Sequence, residues 1–245
     1  ALPVRHPAHS GPDGEPVSGS KGQGPPRPGP YDAEGTALGY AEAREVLRRA
    51  GIAVPPAETA HSPEEASGIS RRLPGRTVLK AAGLAHKTEA GGVVLGLDTA
   101  EQVAAAHREL VGRLGSDGVV VEQMDDRPGV VEVLVGVRHD AVFGSVILVG
   151  AGGVTAELWR DTAVELAPVT ESEAGAMLAR LRSFPLLRGW RGAPPVDLAA
   201  LARAVASVSR IPLTEPWVTS CEINPLRAGP DGVLAVDALV VPRPE

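Results

Sequence analysis

The sequence lacks several residue and segment types, and each absence excludes a class of protein. Its 245 residues include one cysteine, Cys221, so a disulfide framework within the chain is excluded and a cytoplasmic, reducing location is expected. No run reaches the roughly 18 apolar residues of a membrane span, and the first residues lack the basic and apolar regions of a signal peptide. The net charge of −6 disfavours nucleic acids and membranes as partners.

Lysine and asparagine are also scarce. Among 24 basic residues there are three lysines, Lys21, Lys80 and Lys87, and Asn224 is the one asparagine. A chain that prefers arginine is expected to keep lysine and asparagine where arginine or aspartate cannot replace them. The alternative is that these rare residues are placed by chance. The sequence around each of them must decide between the two interpretations.

What is present is the composition of a folded protein, with 43% apolar and 22% charged residues. Residues 1–31 are rich in proline and glycine and poor in large apolar side chains, so we expect a disordered tail there. The remainder is predicted to be mixed α/β. We expect a smaller lobe with an N-terminal helix over 32–117 and a larger lobe over 118–245.

Apolar periodicity supplies the individual elements. Stripes repeating every three or four residues predict helices within 43–50, 103–114, 174–181 and 198–208, with Asp98 predicted to cap the second. Alternating or continuous apolar runs predict strands at 77–80, 93–95, 119–124, 130–137 and 145–149. A closing hairpin is predicted from 221–226 and 233–240, joined by a turn at 229–232.

The closing hairpin carries a cluster of oxygen-bearing side chains. Glu222 and Asn224 are two apart on a strand and share a face. One hairpin register places Asp237 opposite Glu222, and a two-residue shift places it opposite Asn224. Two carboxylates and an amide oxygen suit Mg²⁺, which takes nucleotide phosphates and waters as further ligands. The alternative is a solvated hairpin face with an Asn-Pro turn.

A second group surrounds Lys80, which ends a predicted strand. A lysine at this place can direct its charge at a phosphate, and the glycines at 83, 91 and 92 allow close approach of the backbone to an anion. His86 is a candidate anion ligand or phosphoryl acceptor, because imidazole is a nucleophile. The alternative is a surface histidine.

Three further sites, with six residues in all, are weaker candidates for nucleotide contacts. Gly152 and Gly153 follow a strand and permit close approach to phosphate, although glycine clusters often only form turns. Glu132 is either a ligand or a paired edge charge. Glu122, Gln123 and Met124 end a strand before a linker, where an adenine ring can stack, or they form an ordinary loop.

Four strings then occur in a characteristic order. They are His86–Val93, Gly150–Val154 with Glu157, Arg191–Asp197 and Glu222–Leu226. Together they resemble the ATP-grasp domain, or β subunit, of ADP-forming acetyl-CoA (acyl-CoA) synthetases, a family akin to the succinyl-CoA synthetase β subunit. The resemblance covers Tyr40 to Val241, about four-fifths of the chain.

The resemblance implies an ATP-grasp fold in which two α/β lobes hold ATP or ADP with Mg²⁺. It implies reversible phosphoryl transfer that links ATP to acid, CoA and acyl-CoA through phosphohistidine. In these terms His86 relays the phosphoryl group and Lys80 binds nucleotide phosphate. The segment Glu122–Met124 contacts adenine, and Asn224 and Asp237, with Glu222 beside them, bind the metal.

The sequence departs from the family pattern at Gly83, where serine is common, and at Leu239, where a basic residue is common. Nothing in it resembles the CoA-binding half. We therefore expect a hetero-oligomer with a CoA-binding α subunit, or a longer fusion, through which the acid, CoA and phosphate are bound. The alternative is a regulatory or non-catalytic ATP-grasp module of a multidomain acyltransferase-type protein.

Overall fold

The computed structural model describes residues 37–82, 91–153 and 160–243. The predicted tail and His86 lie outside these ranges. The helices are α1 (Tyr40–Arg49), α2 (Pro63–Ser70), α3 (Ala100–Leu114), α4 (Glu171–Ala179), α5 (Phe184–Leu187), α6 (Leu198–Ser209) and α7 (Ile211–Thr214). The strands are β1 (Ala57–Ala60), β2 (Thr77–Ala81), β3 (Val93–Leu97), β4 (Val119–Gln123), β5 (Val131–Asp140), β6 (Gly144–Ala151), β7 (Thr162–Leu166), β8 (Val218–Gly229), β9 (Gly232–Ala235) and β10 (Ala238–Pro242).

The smaller lobe is a four-stranded antiparallel sheet covered by two helices. Its strand order is β1-β4-β2-β3, and α2 and α3 pack on it. The lobe has its own core, to which the strands contribute Leu79, Val119 and Val121 and helix α3 contributes Val103 and Leu110. Removal of these side chains from water is the main stabilising contribution to this lobe.

The larger lobe is built on a six-stranded sheet. Its order is β10-β8-β5-β6-β7, and β9 pairs with the far end of β8. The apolar face of β5, with Val133, Val135 and Val137, lies in a core that also contains residues of α1, α4 and α6. The mixed α/β class expected from the sequence is confirmed.

The lobe division differs from the expected boundary near residue 117. Strand β4 lies after that boundary but is a central strand of the smaller sheet, paired with β1 on one side and β2 on the other. Helix α1 lies before it but buries Ala43, Val46 and Leu47 in the larger core. Both placements are set by contacts between segments distant in sequence, which local periodicity does not report.

Local signals placed most of the predicted elements correctly. Thr170 and Glu173 form the capping box of α4, and the Asp197 side chain accepts a hydrogen bond from the Ala200 N–H at the start of α6. Helix α3 begins one residue later than predicted, because Thr99 rather than Asp98 is its cap. The prediction omitted β1, α2, β7 and the one-turn helices α5 and α7. In the described part of the chain, no helix is long and apolar enough to span a membrane.

Candidate functional site

The chain crosses between the lobes twice, and several predicted site residues lie near the crossings. The first crossing is held at both ends, since the Ala235 N–H donates to the Ala53 carbonyl at 2.9 Å and the Gln123 N–H donates to the Pro56 carbonyl at 2.9 Å. The second crossing is the segment between β4 and β5. The hairpin formed by β8, β9 and β10 therefore lies next to the end of β4.

Lys80 extends from the smaller lobe to this hairpin. Its side chain is 5% exposed, and its Nζ donates to Glu122 Oε1 at 2.7 Å and to the Val236 carbonyl. The Nζ also lies 5.2 Å from the centre of the Tyr40 ring, a cation–π distance. The lysine that the sequence singled out therefore lies beside the residue that precedes Asp237.

Glu122 is buried between two cations. It is 2% exposed, and its second oxygen, Oε2, accepts a hydrogen bond from Arg44 Nη1 at 3.2 Å. Burial, followed by the negative charge of Asp237, raises the pKa of Glu122 to about 9, whereas the ion pairs with Lys80 and Arg44 favour its charged form. Burial, followed by the charge of Arg48, lowers the pKa of Arg44 to about 10.

The predicted adenine segment is only partly open to a ligand. The Glu122 carboxylate forms ion pairs with Lys80 and Arg44, so a contact of this residue with adenine would be made by its backbone. The Gln123 N–H donates to the Pro56 carbonyl at 2.9 Å, and the Met124 N–H donates to the Arg76 carbonyl at 2.8 Å. Adenine binding by this segment remains a prediction.

The hairpin adopts the second of the two expected registers. Leu226 pairs with Ala235 on β9, and Ile223 pairs with Ala238 on β10. The pairings before and after residues 236 and 237 have the same register. This register places Asp237 opposite Asn224. Between its pairings with β5, strand β8 contains an extra residue, a β-bulge, at the level of Asn224.

The donor set of this hairpin fits a hard cation. Glu222 and Asn224 are partly exposed, whereas the flanking Cys221 and Ile223 are fully buried, so the two polar side chains share the outer face. Asn224 Oδ1 accepts a hydrogen bond from the Gly153 N–H at 3.0 Å. Within the described ranges no group of three or more His, Cys, Asp or Glu side chains could hold a metal. The candidate set is thus two carboxylates and one amide oxygen, the chemistry that Mg²⁺ accepts when waters and phosphates complete its coordination.

The glycine turn after β6 packs closely against β5 and the hairpin. The Gly152 N–H donates to the Glu132 carbonyl at 2.9 Å, and a Cβ on Gly152 would lie 2.6 Å from the Val133 carbonyl carbon. Gly153 has a φ of +73°, which disfavours a larger residue. The exposed Glu132 carboxylate lies 3.8 Å from Arg227 Nη1. The turn, Glu132 and Asn224 are therefore brought together.

His86 and Glu157 lie outside the described residues. The flanks of the first segment are described: the Ala81 N–H donates to the Gly92 carbonyl at 2.7 Å, and Lys80 pairs with Val93. The described residues on both sides of the segment that carries His86 therefore lie in the smaller sheet, next to Lys80. The role of His86 remains a prediction.

Sequence reasoning missed Arg44 and Tyr40. Arg44 Nη1 donates to the Tyr40 hydroxyl at 3.0 Å, and Nη2 donates to the Pro55 carbonyl. Arg44 lies next to Ala43 on the buried side of α1 and is 5% exposed. The available signal was a charged residue adjoining an apolar stripe, with an aromatic residue four positions before it.

Comparison with known proteins identifies the family. Residues 31–241 match the ATP-grasp domain. The chain belongs to the ATP-grasp family. The family and the ATP-grasp fold expected from the sequence are both confirmed, and relatives include ADP-forming acetate–CoA ligase β subunits.

Individual relatives differ in how much of their length this ATP-grasp chain covers. It is 32% identical over 218 residues to the β subunit of acetate–CoA ligase (ADP-forming) I from Pyrococcus furiosus, covering 85% of this chain and 93% of that protein. It is 36% identical over 211 residues to a trans-feruloyl-CoA synthase from an unidentified prokaryote, covering 82% of this chain. The chain spans only 30% of the length of that synthase.

Solved structures give the same family relationship. A dinucleotide-forming acetyl-coenzyme A synthetase of Candidatus Korarchaeum cryptofilum, in complex with coenzyme A and Ca-AMPCP, matches with a TM-score of 0.80 and 32% identity. The match covers 85% of this chain and 94% of that one. Another structure of that synthetase contains coenzyme A and Mg-AMPPCP. These structural neighbours bind a nucleotide analogue with a divalent metal.

Proposed function

We propose that this ATP-grasp chain is the nucleotide-binding part of an ADP-forming acyl-CoA synthetase. It would transfer a phosphoryl group between ATP and a histidine relay, coupled to formation of acyl-CoA from acid and CoA on a partner. The observation that carries the proposal is the contact of Lys80, from one lobe, with Val236 beside Asp237 in the other. A phosphate-binding ammonium group and a metal-binding carboxylate are thereby brought close together.

The described residues have separate roles in this proposal. Lys80 neutralises charge on the nucleotide phosphates, which phosphoryl transfer requires more than covalent assistance. Asn224 and Asp237, with Glu222 beside them, would hold Mg²⁺, which when bound neutralises phosphate charge. Glu132, Gly152 and Gly153 would contact the nucleotide from the larger lobe, and the segment Glu122–Met124 from the smaller one.

His86 is the proposed phosphoryl acceptor. The bond between the γ-phosphorus and the bridging oxygen of ADP breaks, a phosphorus–nitrogen bond to the imidazole forms, and ADP leaves. The described flanks of the His86 segment, Ala81 and Gly92, lie beside Lys80, and this supports the role.

A partner is part of the proposal. The matched Pyrococcus protein is named as a β subunit, and the matched feruloyl-CoA synthase is more than three times as long as the matched region. We infer that the CoA and acid sites lie on an α subunit or on further domains. The ligase names of these relatives favour this proposal over a non-catalytic module. The free, buried thiol of Cys221 supports a reducing, cytoplasmic location.

Reconstitution tests the proposal. The purified chain, mixed with its candidate CoA-binding partner, is expected to release ADP from ATP over many turnovers only when acid and CoA are both present. His86→Ala should abolish acyl-CoA formation while ATP binding in Mg²⁺ persists. Full turnover by the His86→Ala variant would contradict the relay, and sustained ADP release, beyond one equivalent per chain, in the absence of CoA would contradict the coupled reaction.

A further inference from the structure

Three buried charges form a continuous chain between the lobes. Arg44 belongs to α1, in the larger core, whereas Glu122 and Lys80 lie on strands of the smaller sheet. The Arg44 Nη1 to Glu122 Oε2 distance is 3.2 Å, and the Glu122 Oε1 to Lys80 Nζ distance is 2.7 Å. Lys80 then returns to the larger lobe at the Val236 carbonyl. The chain of contacts thus passes between the two lobes twice.

The outer groups of this chain are themselves held. Arg44 is fixed by the Pro55 carbonyl and by the Tyr40 hydroxyl, at 3.0 Å from Nη1. The Tyr40 ring lies 5.2 Å from both Arg44 Cζ and Lys80 Nζ. A lysine side chain ordinarily keeps much rotamer freedom. Here the Glu122 carboxylate, the Val236 carbonyl and the Tyr40 ring restrict the ammonium group to one place.

Glu122 also separates two like charges. Its two oxygens each accept from a different cation, so the carboxylate screens the Arg44 guanidinium from the Lys80 ammonium group. In a buried place this repulsion is poorly screened by solvent. Without the Glu122 charge, Lys80 would be driven away from Arg44 and out of its position.

We propose that Arg44 and Glu122 are positioning residues, which hold the Lys80 ammonium group at the Asp237 end of the hairpin for contact with nucleotide phosphates. The inference rests on the proposed nucleotide site for its consequence, but the placement of Lys80 can be measured without nucleotide. Preorganised charge costs no rearrangement when the ligand arrives.

The first experiment observes Lys80 directly. With three lysines in the sequence, ¹⁵N-lysine labelling gives few side-chain ammonium signals, and Lys80→Arg assigns the one of interest. In the wild type we expect this signal to be protected from water exchange at neutral pH. In Glu122→Gln the Lys80 ammonium signal should change its chemical shift or disappear through exchange with water. The matched control is Glu58→Gln. Glu58 lies on β1 of the same sheet, and the substitution removes its exposed ion pair with Arg72.

The second experiment compares ligands with and without phosphates. Glu122→Gln should weaken ATP binding in Mg²⁺ by about 10-fold, the equivalent of one hydrogen bond to a charged group. Adenosine, used as a competitor, should bind within about twofold of its wild-type affinity because it lacks phosphates. Arg44→Met should act like Glu122→Gln, and Arg44→Lys should recover part of the loss.

The outcomes separate the two proposals. A loss for ATP but not adenosine, with an altered Lys80 signal, supports positioning. An unchanged Lys80 signal, or equal losses for ATP and adenosine in folded Glu122→Gln and Arg44→Lys proteins, overturns it. If the wild type binds no ATP, the proposed function fails, while the Lys80 signal still tests whether Glu122 holds the amine.

Discussion

Two buried carboxylates three positions apart, Glu122 and Asp125, lie in opposite electrostatic situations. Glu122 contacts Lys80 and Arg44 in what we term the cleft cluster. Asp125 lies in the linker between the lobes and contacts Arg127 and Arg227, which together form the linker cluster. Both carboxylate side chains are 2% exposed and both have two cationic partners.

Their pKa values nevertheless move in opposite directions. Burial, then the charge of Asp237, raises the pKa of Glu122 to about 9. Burial also opposes ionisation of Asp125, but hydrogen bonds from Arg127 and the charges of Arg127 and Arg227 outweigh it and lower the pKa. Arg127 binds Asp125 with two nitrogens, at 2.8 and 3.0 Å, and stays partly solvated. The linker cluster therefore holds its carboxylate in the charged form, whereas in the cleft cluster burial opposes the charge of Glu122 and the ion pairs with Lys80 and Arg44 work against that cost.

The largest contrast is expected in nucleotide affinity. Lys80→Met should weaken ATP binding in Mg²⁺ by about 100-fold, since up to about 3 kcal/mol of charge-assisted hydrogen bonding to phosphate is lost. Arg127→Met should leave the affinity within about threefold, because its partners are Asp125, Asp231 and backbone carbonyls. Isothermal titration calorimetry measures both, and similar losses in the two variants would remove the functional distinction between the clusters.

Stability should show the reverse contrast. Asp125→Ala should lower the free energy of unfolding by about 2–3 kcal/mol, because two guanidinium groups lose a shared carboxylate. Glu122→Gln should cost less, about 1–2 kcal/mol, because the glutamine keeps a hydrogen-bond acceptor for one of the two cations and the cost of burying the Glu122 charge is removed with it. Urea unfolding of both variants tests this. A larger loss for Glu122→Gln would reverse the assignment of the two clusters.

The pH dependence of the Asp125 effect follows from the direction of its pKa shift. A carboxyl whose folded-state pKa is depressed stabilises the fold above its unfolded pKa, here the ordinary 3.8, and loses that contribution as the pH falls. The difference in unfolding free energy between wild type and Asp125→Ala should therefore shrink below about pH 4. Urea unfolding at a series of pH values measures it, and a difference that grows on acidification would contradict the assignment.

The smallest effect is expected at an exposed ion pair. Glu58 and Arg72 lie 2.7 Å apart on the smaller lobe, with both side chains more than half exposed. Replacing Glu58 by glutamine should cost less than about 1 kcal/mol of unfolding free energy, because solvent screens the pair. This substitution sets the baseline for both clusters, and a loss as large as that of Asp125→Ala would show that burial does not account for their contrast.

The elements that sequence predicted well are those with a local cause. Capping at Thr170 and Asp197 and the apolar stripes of the four predicted helices fixed their positions. Strand β1, with the sequence Ala-Glu-Thr-Ala, shows no apolar alternation and is held by pairing with β4, so its formation depends on a distant segment. For the same reason β4 was assigned to the wrong lobe.

The residues of the candidate site also divide into those that local sequence indicated and those that depend on contacts between distant segments. Asn224, Asp237 and Lys80 stood out by rarity and by shared strand faces. The partners that fix Lys80 include the backbone carbonyl of Val236 and the carboxylate of Glu122. Every residue has a backbone carbonyl, so the residue type at position 236 does not indicate this acceptor. The role of Arg44 becomes visible only when α1 is placed against the hairpin.

The most direct test of the account is calorimetric titration of ATP into the wild-type chain and Asp237→Ala, each with and without Mg²⁺. We expect Mg²⁺ to tighten ATP binding to the wild type and to have little effect on the variant, with equal affinities in its absence. An equal gain from Mg²⁺ in both proteins would contradict the placement of the metal at the hairpin.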